Sequence, residues 1–492
     1  MRLLLVACLL FTGAAYADHE KGHKDHHDFK PTTKTVERAG TYGGKKITYT
    51  VTMGETVLKD DHGHPEAAIF STAYIKQKPD ATRPVFFIYN GGPGSSSVWL
   101  HMGAFGPKRV VLPSDAKDDG APPYPIEENT ASILDVTDMV FIDPVGTGFS
   151  KALGKKKDTD FHGVHADAKS LARFIRQWLD TNGRWNSPKY IGGESYGTYR
   201  SAALVKELEG GYDDVALNGI ILISTVLDMY HDLTGEGAEM GYPILLPTMA
   251  ATAWYHDAIE NKPDDIEGFL ADARAFAEGP YMTALMKGTR LQGAERDDVL
   301  NKLAGFTGLK KDYLDRANLR VNLRRFMKEL LRDKGLSVGR LDSRFTGTAV
   351  DDAGEGPEVD PSFVAIDGGY TAALNSYVRE DIGLPMQRRY KIITSLGRNW
   401  DWKIDGGGRF MFNVQPYIGR AMRQNSGLKV FNAAGYYDFA TPFFSAEFSL
   451  QRPGMDQDRI TYKYYPAGHM MYIHEPSLQQ LNDDIRAFIE SR

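Results

Sequence analysis

The chain has 492 residues, of which 42% are hydrophobic and 25% are charged, a mix typical of a globular protein with a large core. Its 58 Lys and Arg residues against 64 Asp and Glu residues give a net charge of −6. No basic stripe runs along the sequence, so the charge pattern excludes an evident nucleic-acid surface.

The N-terminus has the pattern of a secretory signal peptide. Arg2 precedes the apolar run 3–11, and Ala15-Tyr16-Ala17 has the small-x-small form of a cleavage site. That run is too short to span a membrane, and no later stretch reaches the length of a span. We therefore predict that residues 1–17 are removed and that the protein is exported, to the periplasm or outside the cell.

Cys8 is the only cysteine of the chain, and it lies inside the predicted leader. The mature protein would therefore have no disulfide and no cysteine nucleophile, and its stability would rest on its core. Residues 5–8 also resemble a lipoprotein signal, although the apolar run continues past the cysteine. Residues 18–35 are polar, with a histidine cluster that is either a zinc or copper site or, as we interpret it, a solvated linker: His19, His23, His26 and His27.

Apolar segments separated by helical patterns predict a mostly parallel sheet. The strand patterns lie at residues 46–52, 68–75, 84–89, 139–142, 219–223, 428–432 and 459–465, and helical patterns occur at 166–180 and 477–489. Between them, residues 230–365 are dominated by helical patterns, which predict an inserted helical cap. The predicted class is α/β, with core segments 36–229 and 366–492 on either side of this cap.

Gly193-Glu194-Ser195-Tyr196-Gly197 is a G-x-S-x-G motif between a strand pattern and a helix pattern. In that context the glycines allow a strained turn that exposes a serine hydroxyl above the sheet. A serine hydroxyl is a weak nucleophile, so Ser195 needs a base. Hydrolases of this architecture carry their triad in the order serine, acid, histidine.

Two residues downstream of Ser195 fit that order, because each follows a predicted strand. Asp438 would orient the imidazole of His469, which would accept the proton from Ser195 and return it to the leaving group. Other candidates for these two roles are Asp401, Asp405 and His474.

A glycine-rich loop at residues 90–97 follows the strand pattern 84–89. We interpret it as part of an oxyanion hole, with the backbone N–H groups of Gly92 and Tyr196 as donors. A phosphate cradle is the competing interpretation, but no Lys-Ser or Lys-Thr pair follows the loop.

Four segments together resemble the serine carboxypeptidase family (peptidase S10), and we expect a bacterial-type member. They are Asn90-Gly91-Gly92-Pro93-Gly94-Ser95-Ser96, residues 143–150, the Ser195 motif, and Ala467-Gly468-His469-Met470. The resemblance implies an α/β-hydrolase fold with a helical cap, a Ser–Asp–His triad and release of C-terminal amino acids from peptides. It implies no metal and no organic cofactor.

The family binds the substrate's free carboxylate through an Asn, a Trp and two Glu side chains. The resemblance assigns the first role to Asn90 and one Glu role to Glu194, with Gly91 and Met470 as further substrate contacts and Tyr196 as a possible pocket wall.

The chain departs from the family at three of the expected positions. Ile88 stands in place of the Trp, Ala104 in place of the second Glu, and Ser95 in place of a usual Cys. A lone Glu194 would repel a carboxylate above its own pKa, whereas the family pair shares a proton. We therefore expect altered carboxylate recognition, with a cation such as Arg200 or a cap residue as a substitute, and a less acidic pH optimum.

The sequence thus predicts an exported serine carboxypeptidase-like hydrolase that acts on peptides through an acyl-enzyme. One alternative is an esterase or acyltransferase with the same triad, because water or another nucleophile can resolve an acyl-enzyme. Another is a non-catalytic binding protein on a hydrolase scaffold.

Overall fold

The computed structural model describes residues 29–80, 82–118, 120–404 and 412–491. The predicted leader with Cys8, residues 18–28 of the predicted linker and Asp405 lie outside the described residues. No helix in the described ranges combines the length and the apolar character needed to cross a membrane.

Fourteen strands lie in the described part of the chain. Ten of them form one sheet: β1 (Thr33–Tyr42), β2 (Lys45–Lys59), β3 (Pro65–Lys76), β4 (Val85–Tyr89), β7 (Asp138–Ile142), β8 (Lys151–Ala152), β9 (Lys189–Ser195), β10 (Gly219–Thr225), β13 (Lys429–Gly435) and β14 (Ile460–Tyr465). Two small hairpins pair β5 (Lys108–Val110) with β6 (Ile126–Glu128), and β11 (Ser337–Val338) with β12 (Thr346–Gly347).

The order across the main sheet is β1-β2-β3-β7-β4-β9-β10-β13-β14, and β8 pairs with β3. The six strands from β7 to β14 pair in parallel, whereas β1, β2, β3 and β8 join through antiparallel pairs. The strand nearest the middle of the parallel part, β9, ends at Ser195. This is the predicted α/β class with a mostly parallel sheet, extended at one edge by an antiparallel meander.

The α-helices of the described ranges are α1 (Val164–Asn182), α2 (Tyr196–Leu208), α3 (Gly241–Tyr255), α4 (Ile266–Phe276), α5 (Met282–Lys287), α6 (Gly293–Thr307), α7 (Lys311–Arg316), α8 (Leu323–Glu329), α9 (Pro361–Ser376), α10 (Gln415–Gln424), α11 (Phe443–Leu450) and α12 (Glu475–Glu490). The predicted helices at 166–180 and 477–489 correspond to α1 and α12. Within the predicted cap, α8 ends at Glu329 and a 3₁₀ turn follows at Arg332–Lys334.

Strand β4 illustrates how the sheet is buried on both faces. All five of its residues are buried, and alternate side chains enter different apolar clusters. Phe86 and Ile88 join one cluster, while Val85, Phe87 and Tyr89 join another. Because successive side chains of a strand point to opposite faces, the continuous apolar run reflects a sheet covered on both sides.

Helix α1 covers one of these faces. Leu171, Phe174, Ile175 and Trp178 recur at helical spacing, are buried and belong to the same cluster as Phe87. Gly183 ends the helix in the left-handed conformation, with φ of 63°.

The helices α3 to α8 lie between β10 and the last two strands of the sheet, within the segment predicted as a cap. Their apolar side chains form a third cluster, which also contains Tyr436, Tyr437 and Phe439 from the chain after β13. Helix α9 crosses residue 365, where the cap was predicted to end. The helical layer therefore packs directly on the segment that carries Asp438.

Candidate active site

Ser195 lies at a sharp turn between the end of β9 and the start of α2. Its backbone has φ of 60° and ψ of −129°, a strained conformation for a residue other than glycine. A Cβ on Gly193 would lie 2.7 Å from the carbonyl oxygen of Gly197, so the turn needs a glycine there. The result is a partly exposed serine among buried neighbours.

The glycine-rich loop after β4 packs closely against this turn. A Cβ on Gly91 would lie only 2.6 Å from the backbone nitrogen of Tyr196, so any other residue would displace the loop. Gly92 has φ of 105°, a conformation that favours glycine. The loop thus lies, through Gly91, against the first backbone N–H groups of α2, where an oxyanion would also meet the positive end of the helix.

Asp438 and His469 contact each other directly. Nδ1 of His469 lies 2.7 Å from Oδ2 of Asp438, and Asp438 is fully buried. This contact makes Nδ1 the protonated nitrogen of a neutral imidazole and leaves Nε2 free to accept a proton.

Further hydrogen bonds hold the Asp438 carboxylate. Oδ1 accepts from the backbone N–H groups of Ala440, at 2.7 Å, and Thr441, at 3.0 Å. The Thr441 hydroxyl donates to Oδ2 across 2.7 Å and lies 3.2 Å from Nδ1 of His469. Thr441 was not predicted from the sequence. Its only signal there is its position three residues after Asp438.

A cavity of about 380 Å³ is lined by all of the predicted site residues except Asp438 and Tyr196. Its polar and charged lining consists of Asn90, Ser95, Glu194, Ser195, Arg340, Asp360 and His469, and the remainder is Gly91, Gly92, Trp99, Leu341, Phe363, Ile393, Ala440 and Met470. Ser195 and His469 face this common space, but no hydrogen bond joins the two side chains in the described chain. Such contacts are often long in free enzymes and shorten when substrate binds.

The pKa of His469 is set by opposing influences. Burial lowers the pKa, but the charge and hydrogen bond of Asp438 raise it, and the net result lies above the ordinary value. The charge of Glu194 adds to the rise, whereas that of Arg340 opposes it. The imidazole is therefore a stronger base than a free histidine.

Glu194 is a buried carboxyl held at both oxygens. The Asn90 amide donates to Oε1 across 3.0 Å, and the Tyr472 hydroxyl donates to Oε2 across 2.6 Å. Burial raises the pKa of Glu194 to about 7, although His469 and both hydrogen bonds act to lower it. Near neutral pH this group is divided between its acid and its carboxylate form.

The positions at which the chain departs from the family have other roles here. Ala104 is buried in a π-helical segment, Leu100–Phe105, and Ile88 is buried in the core. Tyr472, which was not identified from the sequence, provides the hydrogen bond to Glu194 instead of a second carboxyl. Trp99 lines the cavity, and its Nε1 donates to the Ser95 hydroxyl across 2.8 Å.

Two expectations about this region are wrong. Arg200 does not line the cavity, because it is buried against Asp167, with Nε 2.6 Å from Oδ2. Its guanidinium also donates to the backbone carbonyl of Asn90, so it supports the loop from behind. The ring of Tyr196 is not a pocket wall either, since it packs against Tyr199 and accepts a hydrogen bond from Trp400.

Two of the competing candidates, Asp401 and His474, lie elsewhere. Asp401 forms a backbone bridge with Gly163, and His474 contacts Ser477 at the start of α12. Neither is among the residues that line the cavity.

A short segment of the cap, residues 340–343, binds both loops that carry the acid and the histidine. The carbonyl of Arg340 accepts from the N–H of Phe439 across 3.0 Å, and that of Leu341 accepts from the N–H of His469 across 2.6 Å. The Asp342 carboxylate accepts from the N–H of Gly468 across 3.1 Å. The cap therefore fixes the relative positions of Asp438 and His469.

The sequence comparisons agree with this architecture over part of the chain. Residues 60–275 match the profile of the serine carboxypeptidase family. That segment contains Asn90, Glu194 and Ser195, and it ends before Asp438 and His469.

The chain is also similar to plant proteins. It is 28% identical to serine carboxypeptidase-like 13 of Arabidopsis thaliana over 169 residues, which cover 33% of this chain and 37% of the plant protein. It is 30% identical to serine carboxypeptidase-like 3 of the same plant over 160 residues, covering 30% and 34%. The alignments thus span about a third of these relatives, and the expected bacterial-type membership stays a prediction.

Among solved structures, the fold is similar to that of a prohormone-processing carboxypeptidase from Saccharomyces cerevisiae. The TM-score is 0.52 at 15% identity, and the superposition covers 89% of this chain and 91% of the yeast chain. At that identity the likeness concerns the fold alone. The chain therefore has the α/β-hydrolase fold, and its residues 60–275 carry the sequence pattern of the serine carboxypeptidase family.

Proposed function

We propose that this protein is a serine carboxypeptidase, which hydrolyses the last peptide bond of its substrate through an acyl-enzyme on Ser195. The observation that carries the proposal is that His469, which lines the same cavity as Ser195 and Glu194, contacts the buried Asp438. The match of residues 60–275 to the serine carboxypeptidase family supports the reaction class.

In the first half of the reaction, Nε2 of His469 accepts the proton of the Ser195 hydroxyl while Oγ attacks the scissile carbonyl carbon. Asp438 holds the ring in the required tautomer and stabilises the imidazolium that forms. As the C–N bond breaks, His469 returns the proton to the leaving amine. Water, activated by the same imidazole, then attacks the acyl-enzyme and releases the acid product.

The tetrahedral intermediates carry an oxyanion, for which we propose Gly92 and Tyr196 as backbone donors. The close packing of Gly91 on the nitrogen of Tyr196 supports this assignment, because it places the glycine-rich loop against the start of α2. Removing one donor from an oxyanion hole typically lowers the rate by about 10² to 10³.

For the free carboxylate of the substrate we propose Asn90, Gly91 and Glu194, with Met470 as a wall of the pocket. Glu194 donates a hydrogen bond to a carboxylate only in its protonated form, since its ionised form is an acceptor and carries a like charge. Because the pKa of Glu194 is about 7, the carboxyl is mostly protonated throughout the mildly acidic range. We therefore expect a pH optimum less acidic than that of an enzyme in which two carboxyls share a proton.

An esterase or acyltransferase would use the same acyl-enzyme. The observation that favours this second candidate is that Glu194 is hydrogen-bonded to the phenol of Tyr472 and not to a second carboxyl, as the family resemblance would imply. A site that selects free carboxylates should hydrolyse N-acyl-Phe-Leu much faster than its C-terminal amide. Equal rates on both, or transfer to an added alcohol in preference to water, would favour the alternative.

The direct test combines a fluorophosphonate probe with product analysis. We expect the probe to label wild type and not Ser195→Ala, and we expect mass spectrometry to detect residues released one at a time from the C-terminus of a peptide. A protein that takes no label and releases no amino acid at any pH between 5 and 9 would contradict a hydrolytic function.

We also propose that the chain is exported and cleaved near Ala17. N-terminal sequencing of the secreted or periplasmic protein tests this, with a mature chain beginning at Asp18 as the expected result. An intact Met1 in the exported fraction would contradict it.

A further inference from the structure

Arg340 is an exposed cation at the rim of the catalytic cavity. Within the described ranges its guanidinium forms no ion pair, unlike the buried Arg200 and the nearby Arg344, which is paired with Asp342. An arginine that faces a binding cavity without a partner has all of its side-chain donors available to a ligand.

The backbone of Arg340 is held firmly although its side chain is exposed. Its N–H donates to Asp360 across 2.9 Å, and its carbonyl accepts from Phe439, the residue after Asp438. The next carbonyl, that of Leu341, accepts from the N–H of His469. The base of this side chain therefore has a fixed position relative to both Asp438 and His469.

Asp360, which also lines the cavity, forms no ion pair with Arg340 in the described part of the chain. Asp360 is the N-cap of α9, and its carboxylate accepts from backbone N–H groups of Arg340, Leu341 and Ser362. Asp360 thus contacts the backbone of Arg340 rather than its guanidinium. Glu194, the other carboxyl of the cavity, is held by Asn90 and Tyr472.

The positive charge of Arg340 acts inside the cavity, because it is one of the groups that lower the pKa of His469. A substrate bound beside His469 therefore experiences the same charge. A planar guanidinium matches the geometry of a carboxylate, with which it forms paired hydrogen bonds.

We infer that Arg340 is a specificity-determining residue, which binds a carboxylate of the substrate at the rim of the cavity. This inference rests on the proposed function and adds to it the cation that a carboxypeptidase of this sequence would need, since the described hydrogen bonds of Glu194 join it to Asn90 and Tyr472 rather than to a second carboxyl. The bound carboxylate belongs either to the C-terminus of the peptide or to an acidic side chain.

The test measures binding as well as turnover, so that the two proposals fail separately. In the Ser195→Ala protein, calorimetry compares four N-acylated dipeptides: Phe-Leu, Phe-Leu-amide, Phe-Glu-amide and Phe-Gln-amide. The variants are Arg340→Gln, Arg340→Lys as a charge-preserving rescue, and Arg316→Gln as a control on an exposed cap arginine at the end of α7 that does not line the cavity. Thermal melting verifies that each variant is folded.

If the C-terminus is the ligand, Arg340→Gln weakens binding of Phe-Leu by about tenfold and leaves its amide unchanged. If an acidic side chain is the ligand, the loss appears for Phe-Glu-amide and not for Phe-Gln-amide. In both cases Arg340→Lys restores part of the affinity and Arg316→Gln has no effect.

An equal change for all four ligands, or none for any, overturns the inference. If the wild-type protein hydrolyses peptides but the Arg340 variants do not distinguish the four ligands, the inference fails and the proposed function stands. Carboxylate binding that depends on Arg340 in a protein without peptidase activity would leave the inference intact and contradict the proposed function.

Discussion

The phenol of Tyr472 donates a hydrogen bond to Oε2 of Glu194 across 2.6 Å, beside the predicted nucleophile. A phenol does not exchange a proton with a carboxyl near neutral pH, and burial raises the pKa of Tyr472 further. Glu194 and Tyr472 thus do not share a proton, and the titration of Glu194 is coupled to the charges of His469 and Asp438.

We expect a bell-shaped pH profile for kcat/KM on free-acid dipeptides. The rate rises as His469 loses its proton, and it falls as Glu194 ionises near pH 7. The side chain of the Glu194→Gln variant is neutral at all pH values. The kcat/KM of wild type divided by that of the variant should therefore fall about tenfold between pH 6 and pH 8. A sharply acid optimum in wild type, or a pH-independent ratio, would contradict this assignment.

Removing the phenol hydroxyl should move the alkaline limb of this profile. The hydrogen bond from Tyr472 lowers the pKa of Glu194, so in Tyr472→Phe that pKa rises and the limb shifts to higher pH. Initial rates across pH 5 to 9 measure the shift. Tyr370→Phe is the matched control, because Tyr370 is another buried phenol near Glu194 but not its hydrogen-bond donor. The same shift in both variants would sink the interpretation.

Glu194 should also make stability depend on pH. Its pKa rises from 4.5 in the unfolded chain to about 7 in the folded one, so its favourable contribution is complete below pH 4.5 and is lost as the pH rises through 7. Glu194→Gln should therefore become more stable relative to wild type with increasing pH, by about 3 kcal/mol over that interval. Urea unfolding at pH 4.5 and pH 8 provides the comparison, and a constant difference would refute the buried, neutral state of Glu194.

The hydroxyl of Thr441 should matter for catalysis rather than for binding. Thr441→Val leaves Oδ2 of Asp438 without one donor, which weakens the orientation of His469 and should lower kcat by about tenfold with KM little changed. Thr307→Val removes a buried cap hydroxyl away from the cavity and is the control. Equal losses in both variants would assign Thr441 a structural role only.

Arg200 should contribute to stability, since it neutralises Asp167 in the interior. Arg200→Met leaves a buried carboxylate without its partner and should cost about 3 kcal/mol or more of the free energy of unfolding. Adding Asp167→Asn should restore part of that loss, because the uncompensated charge is then absent. If Arg200→Met unfolds like wild type and loses only affinity for free-acid substrates, the earlier expectation of a carboxylate-binding Arg200 would be correct after all.

Much of the fold was accessible from local patterns. The apolar run at 84–89 predicted β4, and the G-x-S-x-G motif predicted the junction of β9 with α2, because a strand buried on both faces and a strained turn leave clear marks in the sequence. The order of Ser195, Asp438 and His469 along the chain can also be read directly from the sequence. Their roles remain proposals that rest on chemistry as well as on placement.

Other features depend on residues that are distant in sequence. Nothing local distinguishes Tyr472 from the other tyrosines of the chain, and its contact with Glu194 spans 278 positions. Likewise, Arg340 lies in a segment without a motif. Only the packing of the cap on the loops after β13 and β14 places it at the cavity.

The sequence by itself determined the alternation of strands and helices and the identity of the nucleophile motif, because backbone preferences and apolar periodicity act over a few residues. The tertiary structure decided which charges meet. In the described part of the chain, it turned Arg200 inward to Asp167, paired Glu194 with a phenol and left Arg340 without an ion-pair partner beside the cavity, since burial and electrostatic pairing depend on distances that only the folded chain defines.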